Sequence, residues 1–382
     1  MPTLWPYCPT ETFSEGLSWR SDVIRAYSTE QRIRLTEVPR RVFNISHLLN
    51  QRKYERAKQL VMGVGGGTWY LPLWHERQRV SVSYGSGTIT VDTTSCEYVN
   101  GGYACLWTSD ELCEVVLIGT VAAGSLTLSG TTSRAYTDAF VMPAVVASNP
   151  YGIEAVRSVN SVVAVSAEWS VYAGTDIGAS TYPTYRGYPA VTDCVRIGSG
   201  TISESVSCPV DVVDNGFSDP FIDAQQSTVR RSLNLSWMAT DLDQLRSVRE
   251  WLHYIKGSQS AYWVPDWTSG IELLANVSPS DTTITIRQIL LDNIAEAGDL
   301  VIMVGSTHYR FQFTSVSTVG SAEVLTLSAP AGVSIAMADV SRACLLRLCR
   351  SVSDRVEFSH RYRGNDRQLS ACQVIAQEVP VI

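Results

Sequence analysis

The chain has 382 residues, 45% apolar, 18% charged and 9% aromatic, with a formal charge of −7. That much apolar material at so little net charge excludes a disordered protein and predicts two or three domains with their own cores. The acid excess, 37 Asp and Glu against 30 Lys and Arg, speaks against a nucleic-acid binder, which needs a basic surface.

At the N-terminus, Met1-Pro-Thr-Leu-Trp-Pro-Tyr-Cys8 has neither the basic nor the apolar segment of a signal peptide. The longest near-apolar run, Val115 to Leu128, is shorter than the ~20 residues of a spanning helix and alternates like a strand at its end. A soluble chain without a membrane partner is therefore expected. Lysine occurs only at 53, 58 and 256, so most cations are guanidiniums, which suit multidentate contacts in interfaces.

In chain order, Arg40–Ser46 alternates apolar and polar residues (Val42, Phe43, Ile45) and predicts a strand. A helix follows, with Asn50 as cap, Tyr54, Ala57, Leu60 and Val61 as its apolar stripe, and a stop at Gly63. In Trp69-Tyr-Leu-Pro-Leu-Trp74 the proline pushes Leu71 to an extended conformation, so this block is strand or turn. Residues 80–147 read as short Val/Thr/Ile strands broken by Gly, Ser and Asn, a small antiparallel barrel or sandwich. A strand over 159–171 returns to the parent sheet. Residues 172–220 form a junction rich in Gly, Tyr, Pro and Ser that carries Cys194 and Cys208.

The same order then recurs. Arg230–Ser236 is a strand (Leu233, Leu235). Thr240 caps a helix with Asp243 three residues on, Leu242, Leu245, Val248, Leu252 and Ile255 form its stripe, and Gly257 stops it. Tyr262-Trp-Val-Pro-Asp-Trp267, strands over 271–349 and a closing strand over 352–363 complete the set. Five blocks match in register: Arg40–Ser46 with Arg230–Ser236, Trp69–Trp74 with Tyr262–Trp267, Thr88–Val91 with Thr283–Ile286, Leu126–Ser129 with Leu325–Ser328, and Arg157–Ser166 with Arg350–Ser359. Their spacing drifts only between 190 and 199 residues, as loop insertions would produce. The expectation is an α+β, β-rich chain, a tandem duplication of one sheet-plus-helix unit with a β insert in each copy. The first unit covers 1–79 and 148–190 with insert 80–147; the second covers 191–270 and 350–382 with insert 271–349.

No catalytic signature stands out. Gly63-Val-Gly-Gly-Gly-Thr68 lacks the Lys-Ser/Thr of a phosphate loop and follows a helix, so it reads as a turn. His75-Glu76 continues without a second zinc-binding histidine, and the histidines at 47, 75, 253, 308 and 360 lack metal spacing. Gly-x-Ser-x-Gly is absent, and a triad needs geometry to be read. Asp241-x-Asp243 is read as carboxylates stabilising a helix start. Cys96, Cys105 and Cys113 cluster in the first insert, as Cys344, Cys349 and Cys372 do near the C-terminus. An iron–sulfur or zinc site at one cluster, or disulfides formed outside the cell, compete with the preferred reading of buried thiols. No metal or cofactor is therefore assigned. Trp69, Trp74, Trp263 and Trp267 are read as structural aromatic core, with a sugar-stacking platform as the alternative. Arg40, Arg41, Arg230 and Arg231 begin an extended strand in each copy, so one of each pair can meet an internal acid and the other a neighbouring subunit.

Trp19-Arg-Ser-Asp-Val-Ile-Arg25, Glu30-Gln-Arg-Ile-Arg-Leu35, Pro39-Arg-Arg and Trp69–Trp74 together resemble the tail-tip proteins of long-tailed bacteriophages, the distal tail or baseplate hub group. Arg355-Val-Glu-Phe358 and Glu378-Val-Pro resemble the pattern more weakly. The resemblance covers the framework, about half the chain, and brings no catalytic residues with it. It implies a tail-tube-like unit, a virion location at the tail tip after assembly in the host cytoplasm, and a non-enzymatic role. The implied partners are the chain itself, in a hexameric ring or a trimeric pseudo-sixfold one, the tail tube protein, and other baseplate, hub and fibre proteins. The inserts are expected to face outward. A carbohydrate-binding adhesin that contacts the host surface is the alternative, and a hydrolase with a non-local site a weaker one.

Overall fold

The computed structural model describes residues 2–26, 29–157, 162–172, 174–180, 182–192, 202–207, 210–214, 216, 219–224, 230–293, 297–363 and 367–379. Strand accounts for 53% and helix for 11%, with a large antiparallel sheet, so the β-rich α+β expectation holds.

The first strands are β1 (Thr3–Leu4), β2 (Thr12–Ser18), β3 (Ser21–Ala26), β4 (Thr29–Arg34) and β5 (Arg40–Asn50), followed by α1 (Gln51–Val64). Then come β6 (Thr68–Pro72), β7 (Gln78–Val82), β8 (Thr88–Thr90), β9 (Tyr103–Trp107), β10 (Cys113–Ala122), β11 (Ser125–Leu128), β12 (Tyr136–Ser148), β13 (Ile153–Arg157) and β14 (Val162–Val171). The short strands β15 (Thr184–Tyr185) and β16 (Tyr188–Pro189) precede β17 (Ser203–Ser207), β18 (Val210–Val213), β19 (Phe221–Ala224), β20 (Arg230–Ala239) and α2 (Leu242–Ile255). The chain ends with β21 (Tyr262–Pro265), β22 (Thr283–Arg287), β23 (Gly298–Val304), β24 (Thr307–Val319), β25 (Ala322–Leu327), β26 (Arg342–Ser351), β27 (Arg355–Arg363) and β28 (Arg367–Glu378). Contacts divide it into two compact units. One holds Met1–Ala179, Ser236–Gly257 and Ser353–Gln373; the other holds Ser180–Leu235, Ser258–Val352 and Val374–Ile382. The units cut across the sequence halves, since α2 and β27 pack with the first unit.

In the first unit β13, β14, β5, β2, β27 and β28 pair in that order, all antiparallel. The two-residue period of β5 sends Arg41, Phe43, Ile45, His47 and Leu49 inward. Phe43, Ile45 and Leu49 join Trp5, Trp69, Trp74 and Trp169 in one core. The insert strands pair in the order β8, β11, β10, β9, β12, β7 around a second core that includes Ile89, Leu106, Ile118 and Val141. No chain break separates insert from parent sheet. β12 lies on β9 through Phe140–Ala144 and on β6 through Ala144–Ser148.

Both helices form where the pattern places them, with two corrections at their ends. Asn50 caps α1 by accepting from the Lys53 N–H at 2.9 Å, but Gly63 lies inside the helix and the cap residue is Gly65, at φ 56°. The α2 cap is Asp241, not Thr240. Its carboxylate accepts from the Gln244 N–H at 2.8 Å, while the Gln244 side chain accepts from the Thr240 N–H at 3.0 Å. The cap sits one residue further on, where a carboxylate also meets the positive helix end. Only Ala57 of α1 is buried, whereas α2 buries Leu245, Arg249, Trp251, Leu252, His253 and Ile255.

In the second unit β17 pairs with β20, β26 with β28, and β21 with β26. Its insert strands pair in the order β22, β25, β24, β23, β26 around Ile284, Ile302, Phe313 and Leu325. Asp299, nearly buried, ties down the β15–β16 hairpin by accepting from the Tyr185 hydroxyl and the Arg186 guanidinium, both at 2.7 Å.

The pairing scheme of one half recurs in the other. β2–β5, β5–β14, β13–β14, β12–β14 and β6–β12 have counterparts in β17–β20, β20–β28, β27–β28, β26–β28 and β21–β26. The insert pairs β9–β10, β10–β11, β8–β11 and β9–β12 likewise match β23–β24, β24–β25, β22–β25 and β23–β26. The counterpart of β14 is therefore β28, one strand beyond the 352–363 segment expected to close the second sheet. Among the described residues no helix is long and apolar enough to cross a membrane.

Candidate functional site: a buried charge cluster

The first unit encloses ionisable side chains brought together from six elements. Alternation on β2 turns Glu15 inward between Phe13 and Leu17, and alternation on β27 does the same for His360 between Phe358 and the half-buried Tyr362. β5 supplies Arg41, a 3-10 turn over Trp74–Glu76 supplies His75 and Glu76, the loop after β8 supplies Glu97, and α2 supplies Arg249.

Glu15 is the hub. Its Oε1 accepts from Arg41 Nε at 2.5 Å and from Arg249 Nη2 at 2.6 Å, and its Oε2 lies 3.0 Å from His360 Nε2. Arg41 also donates to Glu97 at 2.6 Å, and Arg249 donates to Glu76 at 3.0 Å and pairs with Glu97. The Glu97 N–H donates to Glu76 Oε2 at 2.6 Å. His75 stacks on His360 with ring centroids 4.5 Å apart. Its Nε2 lies 3.4 Å from Arg41 and 3.3 Å from Arg249, both obligate donors, so that nitrogen is the unprotonated acceptor.

Burial and neighbours set the charges. Burial opposes ionisation of Glu15, but Arg249, Arg41 and the His360 hydrogen bond overcome it and hold the carboxyl well below its ordinary range. Glu97 is lowered against burial by the same two guanidiniums. Burial, and then the charge of Glu97, push Glu76 up to about 8, so it is protonated at neutral pH. Burial lowers His75 and His360 and keeps both neutral. Two guanidiniums thus face two carboxylates, a balanced set, which is the condition under which buried charges persist.

Two other chemistries are suggested by proximity. Glu15, His75 and His360, and separately His75, Glu76 and Glu97, bring potential metal-ligand atoms within 4.8 Å of one another. The same atoms already receive Arg41 and Arg249, and a divalent cation there would face two fixed positive charges, so the donor set does not suit a metal. Ser370 Oγ, His360 Nδ1 at 2.8 Å and His360 Nε2 to Glu15 at 3.0 Å form a Ser–His–Glu relay. Ser370 is only 2% exposed and His360 and Glu15 not at all, so the relay is sealed from any substrate. Beside the cluster an open cleft of about 590 Å³ is lined by Arg41, Glu97, Tyr98, Asp176, Arg246 and His253 among others.

The residues singled out from the sequence separate clearly. Arg41 meets the internal acid Glu15, while Arg40 is exposed. Arg231 pairs with Glu204 at 2.8 Å and Asp266 at 3.2 Å, and the Arg230 side chain lies outside what is described. Trp69, Trp74, Trp263 and Trp267 are buried, which leaves their faces to the core. Cys96, Cys105 and Cys113 join no metal-ligating group among the described residues, and burial raises all three thiols. Cys344, Cys349 and Cys372 are buried free thiols, and Cys194 and Cys208 lie outside the described residues. Asp241 caps α2, and Asp243 accepts from the Ser95 hydroxyl. Glu15, Glu97, Arg249 and His360 were not drawn together from the sequence. The available signal was an ionisable residue on an apolar face: Phe13-x-Glu15-x-Leu17, Val356-x-Phe358-x-His360, and Arg249 beside the Leu245–Leu252 stripe.

No family model matches the sequence, and no curated protein matches it.

Proposed function

We propose that the chain is a structural virion protein of a phage tail tip, a ring-forming subunit that joins the tail tube to baseplate, hub and fibre proteins. The chain is a tandem duplication of one sheet-plus-helix unit with a small β-barrel or sandwich insert in each copy. The observation that carries this reading is the recurring pairing scheme, in which nine strand pairs of the first half have counterparts in the second. Repetition of one unit lets one interface type serve twice within a closed ring and leaves no sheet edge exposed. The position at a tail tip rests on the resemblance of Trp19–Arg25, Glu30–Leu35 and Trp69–Trp74 to that group. Two units per chain suit a trimer on a sixfold tube. The charge cluster is structural in this reading: it fastens α2 and β27 of the second half to β2 and β5 of the first.

The test is co-assembly with the tail-tube protein of the same phage, viewed by negative-stain electron microscopy with a gold-labelled tag on this chain. Label at one end of each tube is expected. Label along the tubes, or absent from them, would overturn the assignment.

A further inference from the structure

The junction between β2 and β27 has a counterpart whose two halves lie free at the opposite ends of the pairing scheme. β2 pairs with β5 on one side and β27 on the other. Among the described residues its counterpart β17 pairs with β20 alone, and β13, the counterpart of β27, with β14 alone. Each free strand carries the residue pattern of the strand it mirrors. The buried face of β2 reads Phe13, Glu15, Leu17, and the matching positions at β17 read Ile202, Glu204, Val206. The buried face of β27 reads Val356, Phe358, His360, and β13 offers Ile153, Ala155, Arg157. In the junction an apolar–acid–apolar strand faces an apolar–apolar–basic one, and β17 and β13 repeat those two patterns.

The counterparts differ in burial in the direction an absent partner requires. Leu17 and Val356, opposite each other in the junction, are buried to 0% and 2% exposure. Val206 is 59% exposed, and Ala155, Val156 and Arg157 are all exposed. The helices behave alike. Counting from the caps Asn50 and Asp241, the α1 residue in the place of Arg249 is Lys58, a side chain 47% exposed that pairs with Glu55 of the same helix at 3.7 Å. The two basic residue types that reach Glu15 from the second half, the charged Arg249 and the neutral His360, thus have basic counterparts in Lys58 and Arg157. Glu204 is the counterpart of Glu15, already held by Arg231 as Glu15 is held by Arg41.

We infer that β13 of one copy pairs antiparallel with β17 of a second copy of this chain, in the register of the β2–β27 junction, with Arg157 and Lys58 of the first copy reaching Glu204 of the second. Transferring the Leu17–Val356 and Glu15–Phe358 register sets Val206 opposite Ile153, Glu204 opposite Ala155, and Ser205 opposite Glu154. The contact is head-to-tail, the kind that propagates until the rotation closes a ring. It satisfies two strand edges that would otherwise offer unpaired N–H and C=O groups to any passing strand. This deepens the ring reading above and rests on it for closure, while the edge assignment rests on the repeat alone.

The test mixes the full-length single variants Ser205→Cys and Glu154→Cys under mild oxidation and reads the product on a non-reducing gel. A cross-linked dimer is expected from the mixture, and neither from each variant alone nor from the out-of-register mixture of Ser205→Cys with Val156→Cys. Arg157→Glu, an exposed change, is expected to weaken self-association at least tenfold while leaving the melting curve of the isolated chain in place. A ring that forms without the cross-link and tolerates Arg157→Glu would overturn this edge assignment but leave the ring reading standing. A chain that stays monomeric with and without tail-tube protein would overturn both.

Discussion

The carboxylate of Glu15 and the guanidinium of Arg249 meet at 2.6 Å although 234 residues separate them, and both side chains are almost wholly buried. Arg41 shares the same oxygen, so one buried anion neutralises parts of two cations delivered by different elements. Such a cluster contributes little net stability when complete but is costly to break, because the remaining partners stay buried and charged.

Glu15→Gln and Arg249→Met are therefore expected to destabilise the first unit by about 3–5 kcal/mol each, the range for removal of one member of a buried pair. The double variant should cost clearly less than the two added together, since each single change already strands the other residue. Urea denaturation of the three variants checks this; additive losses would contradict the coupling.

Stability should pass through a maximum near pH 6.5–7. Burial lowers His75 and His360 below the ordinary 6.5 and takes His47 and His253 down to about 4. The unfolded chain then binds more protons than the folded one as pH falls below 6.5. The stability held above that pH is lost on acidification, and Glu15 adds its own loss below 4.5. Glu76 has the opposite sign. Its folded value of about 8 exceeds 4.5, so its contribution declines as pH rises between those values. Above about pH 7 the histidine effect fades and the Glu76 decline dominates, so urea midpoints should fall again toward pH 8. Glu76→Gln should abolish that alkaline decline, and midpoints that stay level from pH 5 to 8 would contradict the account.

Gly257, at φ 67°, follows Lys256, the C-terminal cap of α2, and a Cβ there would lie 2.8 Å from the Asp354 Cα. Gly124 has a similar φ of 77° but open space around it. Gly124→Ala is expected to cost about 1–2 kcal/mol from backbone strain alone. Gly257→Ala should cost more, because the neighbour is backbone and has no rotamer to give way. Equal losses in thermal unfolding would show that the contact with Asp354 is unimportant.

In the second unit, Asp299→Ala removes the acceptor of Tyr185 and Arg186. Hydrogen bonds to a charged group contribute about 1.5–3 kcal/mol, so the β15–β16 hairpin should open and expose the Arg186–Gly187 bond to trypsin. Unchanged cleavage at that bond would assign the hairpin's order to the Trp263 indole, which donates to the Tyr185 carbonyl at 2.8 Å.

Periodicity made the regular elements legible. Alternation announced β5 and β20, and 3.6-residue spacing announced both helices. Helix ends were less legible, because Gly63, Gly65, Thr240 and Asp241 are all plausible punctuation and only the backbone decides among them. The cluster was half legible. One of Arg40 and Arg41 was expected to meet an internal acid, but which arginine and which acid depend on β2 lying against β5, a pairing that no local pattern encodes. Arg249 and His360 were harder still, since their partners come from the other end of the chain. A charge on an apolar face marks a residue that needs a buried partner without saying which. The closing strand was misplaced, because β27 and β28 share the same alternation and nothing local separates them.

The proposed ring joins copies of this chain head to tail until it closes. Native mass spectrometry of the intact protein over a concentration series, with and without tail-tube protein, tests it most directly. A discrete trimer whose share grows with concentration is the predicted result. A monomer at every concentration, unchanged when tail-tube protein is added, would contradict it.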